Sequence, residues 1–273
     1  MTEQSVKKKK KWDSLIFKGV VFICKKFKIA VPKHAQSLSE VIGGILLAGF
    51  AALAIRVLVF EPYTIPSGSM IPTMLIGDYL YVHKSGYGIS RYSFPFYHPP
   101  FMKGRYFSNL PSRGDVVVFK VPTDTDTNYI KRLIGLPGDK VQMKEGYLYI
   151  NGTAVPQKRI EDYVEKTASG RIKKTPQFTE TLPNGKEYTI LREALDGRQS
   201  FDNTEEFTVP EDHYFMMGDN RNHSGDSRSS LGPIPFEKFV GPAKMVLVSV
   251  DSSILDIWKL HKIRYNRFFN VIR

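Results

Sequence analysis

The sequence predicts a mainly β protein: an antiparallel β-sheet core with an inserted β subdomain, anchored by one N-terminal transmembrane helix. Three observations carry this. Short apolar runs recur between turn residues, as in 115–121, 129–134 and 213–217. One run, 41–60, is 20 residues long with a single charge, Arg56. The rest of the chain shows no internal repeat, low-complexity tract or long coil.

Taken in order, the chain opens on a basic segment. Residues 1–40 hold ten lysines against Glu3, Asp13 and Glu40, so +7 of the net +12 lies there. Such an end points to nucleic acid or a membrane surface, and the apolar run that follows selects the membrane. The stretch 12–30 mixes apolar patches with Lys18, Lys25, Lys26 and Lys28, which fits an interfacial helix on anionic lipid. Residues 41–60 as a helix cover about 30 Å, the thickness of a bilayer core. About 40 residues precede this run. A cleavable leader has a shorter apolar core nearer the start, so a retained anchor is expected. Positive charge before it keeps the N-terminus cytoplasmic and puts residues from Glu61 onward outside. Cys24 is the one cysteine, so no intrachain disulfide forms.

Beyond the anchor, strands are expected at 78–82, 115–121 and 129–134. Residues 141–143 and 147–150 read as a hairpin across Lys144-Glu145-Gly146. The more polar 146–206 reads as the inserted β subdomain, between core parts 61–145 and 207–252. The strand-like runs 207–210, 213–217 and 246–250 return to the core, and 253–273 is a basic aromatic tail. The loop 87–110 holds eight aromatics. It fits a covered sheet edge or a membrane-interface surface, with interface contact slightly preferred. The tail, with Trp258, Tyr265, Phe268 and Phe269 among basic residues, reads as membrane-proximal rather than as a poorly packed end.

Three stretches carry chemistry. Ile65-Pro66-Ser67-Gly68-Ser69-Met70-Ile71-Pro72 puts two hydroxyls between prolines that fix the backbone, beside a glycine that frees it. It reads as a rigid turn presenting a serine, or as a plain proline-bounded loop. In Tyr129-Ile130-Lys131-Arg132-Leu133, alternation places Lys131 between an aromatic and a leucine. A lysine there either snorkels to water or is held neutral by burial. The run 216–228 ends an apolar strand in a dense polar loop suited to a hydrogen-bond network. No Gly-x-Ser-x-Gly elbow or His-Glu-x-x-His pattern occurs. A triad of Ser69, His223 and Asp226 stays open as a minor alternative.

Together these stretches resemble the ordered boxes of type I signal peptidases (leader peptidases), the Ser-Lys proteases that cut signal peptides from exported proteins. The resemblance lies in Pro66-Ser67-Gly68-Ser69-Met70 with Pro72-Thr73, Arg113-Gly114-Asp115-Val116-Val117-Val118-Phe119, Tyr129-Ile130-Lys131-Arg132 with Gly135-Leu136-Pro137-Gly138-Asp139, and Gly218-Asp219-Asn220-Arg221 with Ser224 and Asp226-Ser227-Arg228. It implies a membrane-bound endopeptidase cutting after small residues, with Ser69 as nucleophile and Lys131 as general base. Ser67 would complete the oxyanion hole and Ser224 would orient the lysine. Asp219 with Arg221, and Asp226 with Arg228, would brace the loop. Substrate contacts map to Tyr63, Ile65, Pro66, Met70, Met74, Val118, Tyr129 and Ile130. The implied partners are signal-peptide-bearing preproteins and the lipid bilayer, with no nucleic acid, no metal and no cofactor. The implied location is the inner (plasma) membrane with a periplasmic or extracellular catalytic domain. Two other readings remain: an inactive membrane-tethered β binding module, and a self-cleaving Ser-Lys regulator.

Overall fold

The structure is a computed structural model that describes residues 42–52, 60–94, 98–166, 170–193, 197–199, 201–251 and 262–272. The chain divides into two units, Met1–Arg56 and Val57–Arg273. In the first, residues 42–52 form a helix on which Ile45, Leu46, Leu47 and Phe50 are exposed. The expected membrane-crossing helix over 41–60 runs on into 53–59, which lie outside the described residues, as do the basic segment and the amphipathic stretch 12–30. Among the described residues no helix is long and apolar enough to cross a membrane.

The second unit is mainly β. Its strands are β1 (Phe60–Thr64), β2 (Asp78–His83), β3 (Ile89–Ser90), β4 (Arg105–Tyr106), β5 (Val116–Val121), β6 (Asp124–Gly135), β7 (Lys140–Lys144), β8 (Tyr147–Ile150), β9 (Thr153–Ala154), β10 (Gln157–Lys166), β11 (Ile172–Thr181), β12 (Glu187–Leu191), β13 (Phe207–Thr208), β14 (His213–Met217), β15 (Ile234–Pro235) and β16 (Phe239–Ser249). A seven-stranded sheet runs β1-β2-β16-β5-β6-β14-β15, and each of its pairings is antiparallel.

β5 shows why this sheet forms. Its run of β-branched and aromatic residues favours a pleated, buried surface. Val116 and Val118 pack with Leu80, Val82, Val240 and Val246 in one apolar cluster. Val117 and Phe119 join Tyr87, Leu133, Tyr214 and Phe239 in another. Alternation along one strand thus feeds two clusters. β6 is longer than the run 129–134 because a tight return pairs Val121 with Asp124 and carries the exposed residues from Asp124 into the ladder.

Two smaller sheets follow the chain's polar middle. One is β10-β11-β12 and the other β13-β7-β8-β9. The hairpin at Lys144-Glu145-Gly146 forms as its turn residues demand, with Glu145 at φ 50° and Gly146 at φ 77°. Strand pairing crosses the boundary expected at 146, since β7 and β8 are partners. A third apolar cluster joins Ile134, Val141, Phe215 and Met217 to Leu148, Phe178, Tyr188 and Ile190. The inserted strands therefore share a core with the main sheet.

In the loop 87–110, Tyr87 and Tyr92 are buried, and Tyr87 donates to Asp115 Oδ2 at 2.9 Å. Phe101, Phe107 and Leu110 are exposed. Of the tail, residues 262–272 are described, and these pack on the sheet. Val246 N donates to Asn270 O at 2.9 Å and Ile272 N to Lys244 O at 2.9 Å.

Candidate active site

The turn between β1 and β2 holds Ser67 and Ser69. It is closed by Ile65 N to Asp78 O and Gly77 N to Ile65 O, both 3.0 Å, and wound by Met74 N to Met70 O at 2.9 Å. The last contact is one helical turn, so Met70 and Met74 point the same way and lie fully buried beside Leu80 and Val116. The turn is rigid on the far side too. Arg267 of the tail reaches Thr73 O at 3.1 Å and clamps Asp78 at 2.5 Å, while Asp78 Oδ2 accepts from Leu75 N at 2.9 Å.

Ser69 is buried, and Lys131 Nζ donates to its Oγ at 2.5 Å. Lys131 stands on β6 opposite Val117, 4% exposed, with its ammonium 5.6 Å from the Tyr129 ring centre. Burial therefore prevails over snorkelling. It pushes the Lys131 amine down from 10.5 to about 8, against the pull of Asp226 and Asp219. Ser67 Oγ lies 3.4 Å from Ser69 Oγ.

The polar loop 218–228 closes over this pair. Asn220 N donates to Ser69 O at 3.0 Å, and its side-chain amide donates to Gly68 O at 3.1 Å. Gly218 is required by space: a Cβ there would stand 2.2 Å from Ser224 Oγ and 2.6 Å from Ser69 O. Arg228 grips Asp226 with Nε at 2.9 Å and Nη2 at 2.8 Å. Burial pushes the Asp226 carboxyl up, but Arg228, the Gly218 N–H and the Ser224 hydroxyl outweigh it and hold it below its usual range. The Ser224 hydroxyl is buried beside this carboxylate without a well-directed hydrogen bond, and no bond joins it to Lys131.

The second brace differs from the expected Asp219–Arg221 pair. Asp219 is taken by Arg132, with Nε at 2.8 Å and Nη2 at 2.7 Å, and also accepts from Thr73 Oγ1 at 2.5 Å. Arg221 turns into the inserted strands, where it binds Glu180 at 2.9 Å and Tyr188 at 2.9 Å. Residues two apart on an extended stretch share a side, but each guanidinium goes to the carboxylate that its strand neighbours bring near. A triad through His223 does not form: His223 Nε2 lies 2.9 Å from Glu193, and Arg228 occupies both Asp226 oxygens.

A cleft of about 580 Å³ opens beside Ser69 and Lys131. Tyr63, Ile65, Pro66, Val118, Tyr129 and Ile130 line it, as do Ser67, Thr127, Asn128 and His223. Met70 and Met74 sit in the core rather than on its wall.

Residues 38–248 match the model of the family described as signal peptidase, peptidase S26. The chain belongs to the signal peptidase family. A signal peptidase I of Rickettsia typhi is 44% identical over 203 residues, covering 72% of this chain and 75% of that protein. One from Rickettsia felis is 40% identical over 236 residues, covering 80% and 87%. A crystal structure of a signal peptidase I from Enterococcus faecalis is 31% identical, covering 49% of this chain and 97% of that one at a TM-score of 0.28. For this member of the signal peptidase family, reading the sequence missed four contributors. Arg132 was passed over beside Lys131, and Glu180 and Tyr188 lie in an insertion whose role no motif revealed. Arg267 carried one signal, a basic aromatic tail, but nothing in its spacing pointed to the serine turn.

Proposed function

We propose that the protein is a membrane-held endopeptidase that removes N-terminal signal peptides from exported preproteins, using Ser69 as nucleophile and Lys131 as general base. The observation that carries this is the 2.5 Å contact of a buried Lys131 Nζ with Ser69 Oγ. A serine hydroxyl attacks poorly until a base takes its proton. A lysine can do so only when neutral, and an amine near 8 is neutral in useful amounts near physiological pH.

In this mechanism Lys131 takes the Ser69 proton as Oγ bonds to the scissile carbonyl carbon. Charge on the carbonyl oxygen is met by the Ser67 hydroxyl and the Ser69 N–H. As the C–N bond breaks, Lys131 returns the proton to the leaving amine and leaves an ester on Ser69. A water that loses its proton to Lys131 then attacks the ester, and the proton passes back to Ser69 Oγ. The family's lysine-orienting role is proposed for Ser224; no bond joins it to Lys131 here, and its buried place beside Asp226, whose charge acts on the Lys131 amine, is what supports the role. Asp219, Asp226 and Arg228 would hold the loop, with Arg221 tying it to the insertion.

The apolar wall of Ile65, Val118, Tyr129 and Ile130 suits small side chains before the cut. β1 is an edge strand of the seven-stranded sheet, which supports pairing with an extended substrate. The exposed apolar side chains of 42–52 support a membrane anchor over 41–60, and the lysines before it support a cytoplasmic N-terminus. Ser69 is then nine residues past the anchor, within about 30 Å of the outer membrane surface. The domain division 1–40, 41–60, 61–145, 146–206, 207–252 and 253–273 is part of this reading.

The test is cleavage of a signal-peptide-bearing precursor in detergent with the new N-terminus sequenced. Wild type should cut after a small-x-small site and Ser69→Ala should not. A folded Ser69→Ala variant that still cuts would remove Ser69 from the reaction.

A further inference from the structure

The serine turn is a ridge with a cavity on each side. Ser67 and Ser69 border the apolar cleft, while Gly68 borders a second cavity of about 260 Å³. His223 lines both. His223, shared by both linings, marks where the apolar cleft and the second cavity adjoin, on either side of the Ser67-Gly68-Ser69 backbone.

That cavity has a different chemistry. Asn220 is 8% exposed, and its amide orientation is fixed because its nitrogen donates to Gly68 O. Its Oδ1 is then a buried acceptor without a partner among the described residues. Glu165 and Lys173 face each other across β10 and β11, and Glu193 meets Lys173 at 2.5 Å and His223 at 2.9 Å. Two carboxylates and one ammonium line the space, and all three come from inserted strands or the residues just after them.

We propose that this cavity is the subsite for the first residues after the cut. Asn220 Oδ1 takes a backbone N–H of the departing chain, and Glu165 and Glu193 favour a cationic or hydrogen-bond-donating side chain over an acidic one. The inserted strands thereby read the mature end of the substrate while the main sheet reads the signal peptide. This rests on Ser69 being the nucleophile.

The experiment compares two precursors that differ only in carrying Lys or Glu at the first and second positions after the cut. Wild type should prefer Lys by about fivefold in kcat/KM, mainly through KM, the scale of one partly exposed charge contact. Glu165→Gln with Glu193→Gln should bring that ratio toward one, and Lys173→Glu should raise it. A merely structural role would lower kcat for both substrates and leave their ratio unmoved. Cleavage with the same ratio in wild type and in all variants overturns the subsite and leaves the Ser69 reading standing. Failure of wild type to cut either precursor overturns both.

Discussion

If Lys131 is the general base proposed above, its protonation sets the pH dependence of the whole reaction. With its amine brought to about 8, roughly one per cent is neutral at pH 6, half at pH 8 and nearly all at pH 10. If the neutral amine is the base, kcat/KM should rise about fiftyfold from pH 6 to pH 8 and only about twofold from pH 8 to pH 10. A lysine at its ordinary value would climb about a hundredfold in the first interval and nearly as much again in the second. The assay is initial-rate cleavage of one uncharged-side-chain peptide across buffers of constant ionic strength. A flat profile would remove lysine from the base role, and a steep climb continuing to pH 10 would mean that burial does not depress it. The same shift acts on stability. Because the folded value lies below the unfolded one, the unfolded chain binds more protons between about pH 8 and 10.5, so stability rises through that window. The full difference is about 3 kcal/mol for 2.5 units. Lys131→Met should abolish activity and flatten this part of the stability curve, as read from urea midpoints at pH 7 and pH 10.

Other consequences follow from particular contacts. Ser67→Ala removes one proposed oxyanion donor and should cost about 10²–10³ in kcat with KM little changed, measured by steady-state kinetics. Glu180→Gln leaves the fully buried Arg221 without its carboxylate and should destabilise the fold by about 3–5 kcal/mol in chemical denaturation; a change under 1 kcal/mol would deny the insertion its bracing role. Arg267→Ala frees Asp78 and the Thr73 carbonyl behind the serine turn, so kcat should fall about tenfold or more while the lysine-dependent pH midpoint stays in place. Lys131→Arg should be nearly inactive, because a guanidinium stays charged at any assay pH.

Much of this arrangement was legible before the fold was known, for physical reasons that differ by residue. Ser69 showed itself because prolines and a glycine around a hydroxyl serve no strand or helix. Lys131 showed itself because alternation put a charge between apolar neighbours, and burial then resolved its two readings. The hairpin at Glu145-Gly146 followed from turn chemistry alone. What stayed hidden depends on contacts distant in sequence. Asp219 chooses Arg132, 87 positions away, over the nearby Arg221. Arg221 in turn needs Glu180 and Tyr188, and no local pattern links that loop to the polar strands of 146–206. Met70 and Met74 match family pocket positions, yet the helical turn between them sends both into the core. The wall of the cleft and the floor beneath it are not separable from spacing.

The most direct test of the Ser-Lys account is labelling by a serine-directed acylating probe, with the adduct located by peptide mass spectrometry at pH 7 and pH 9. In the wild type the adduct should sit on Ser69 and form about tenfold faster at pH 9 than at pH 7. It should be absent from folded Lys131→Met at both. Equal labelling of Ser69 in wild type and Lys131→Met would contradict the account and place the base elsewhere.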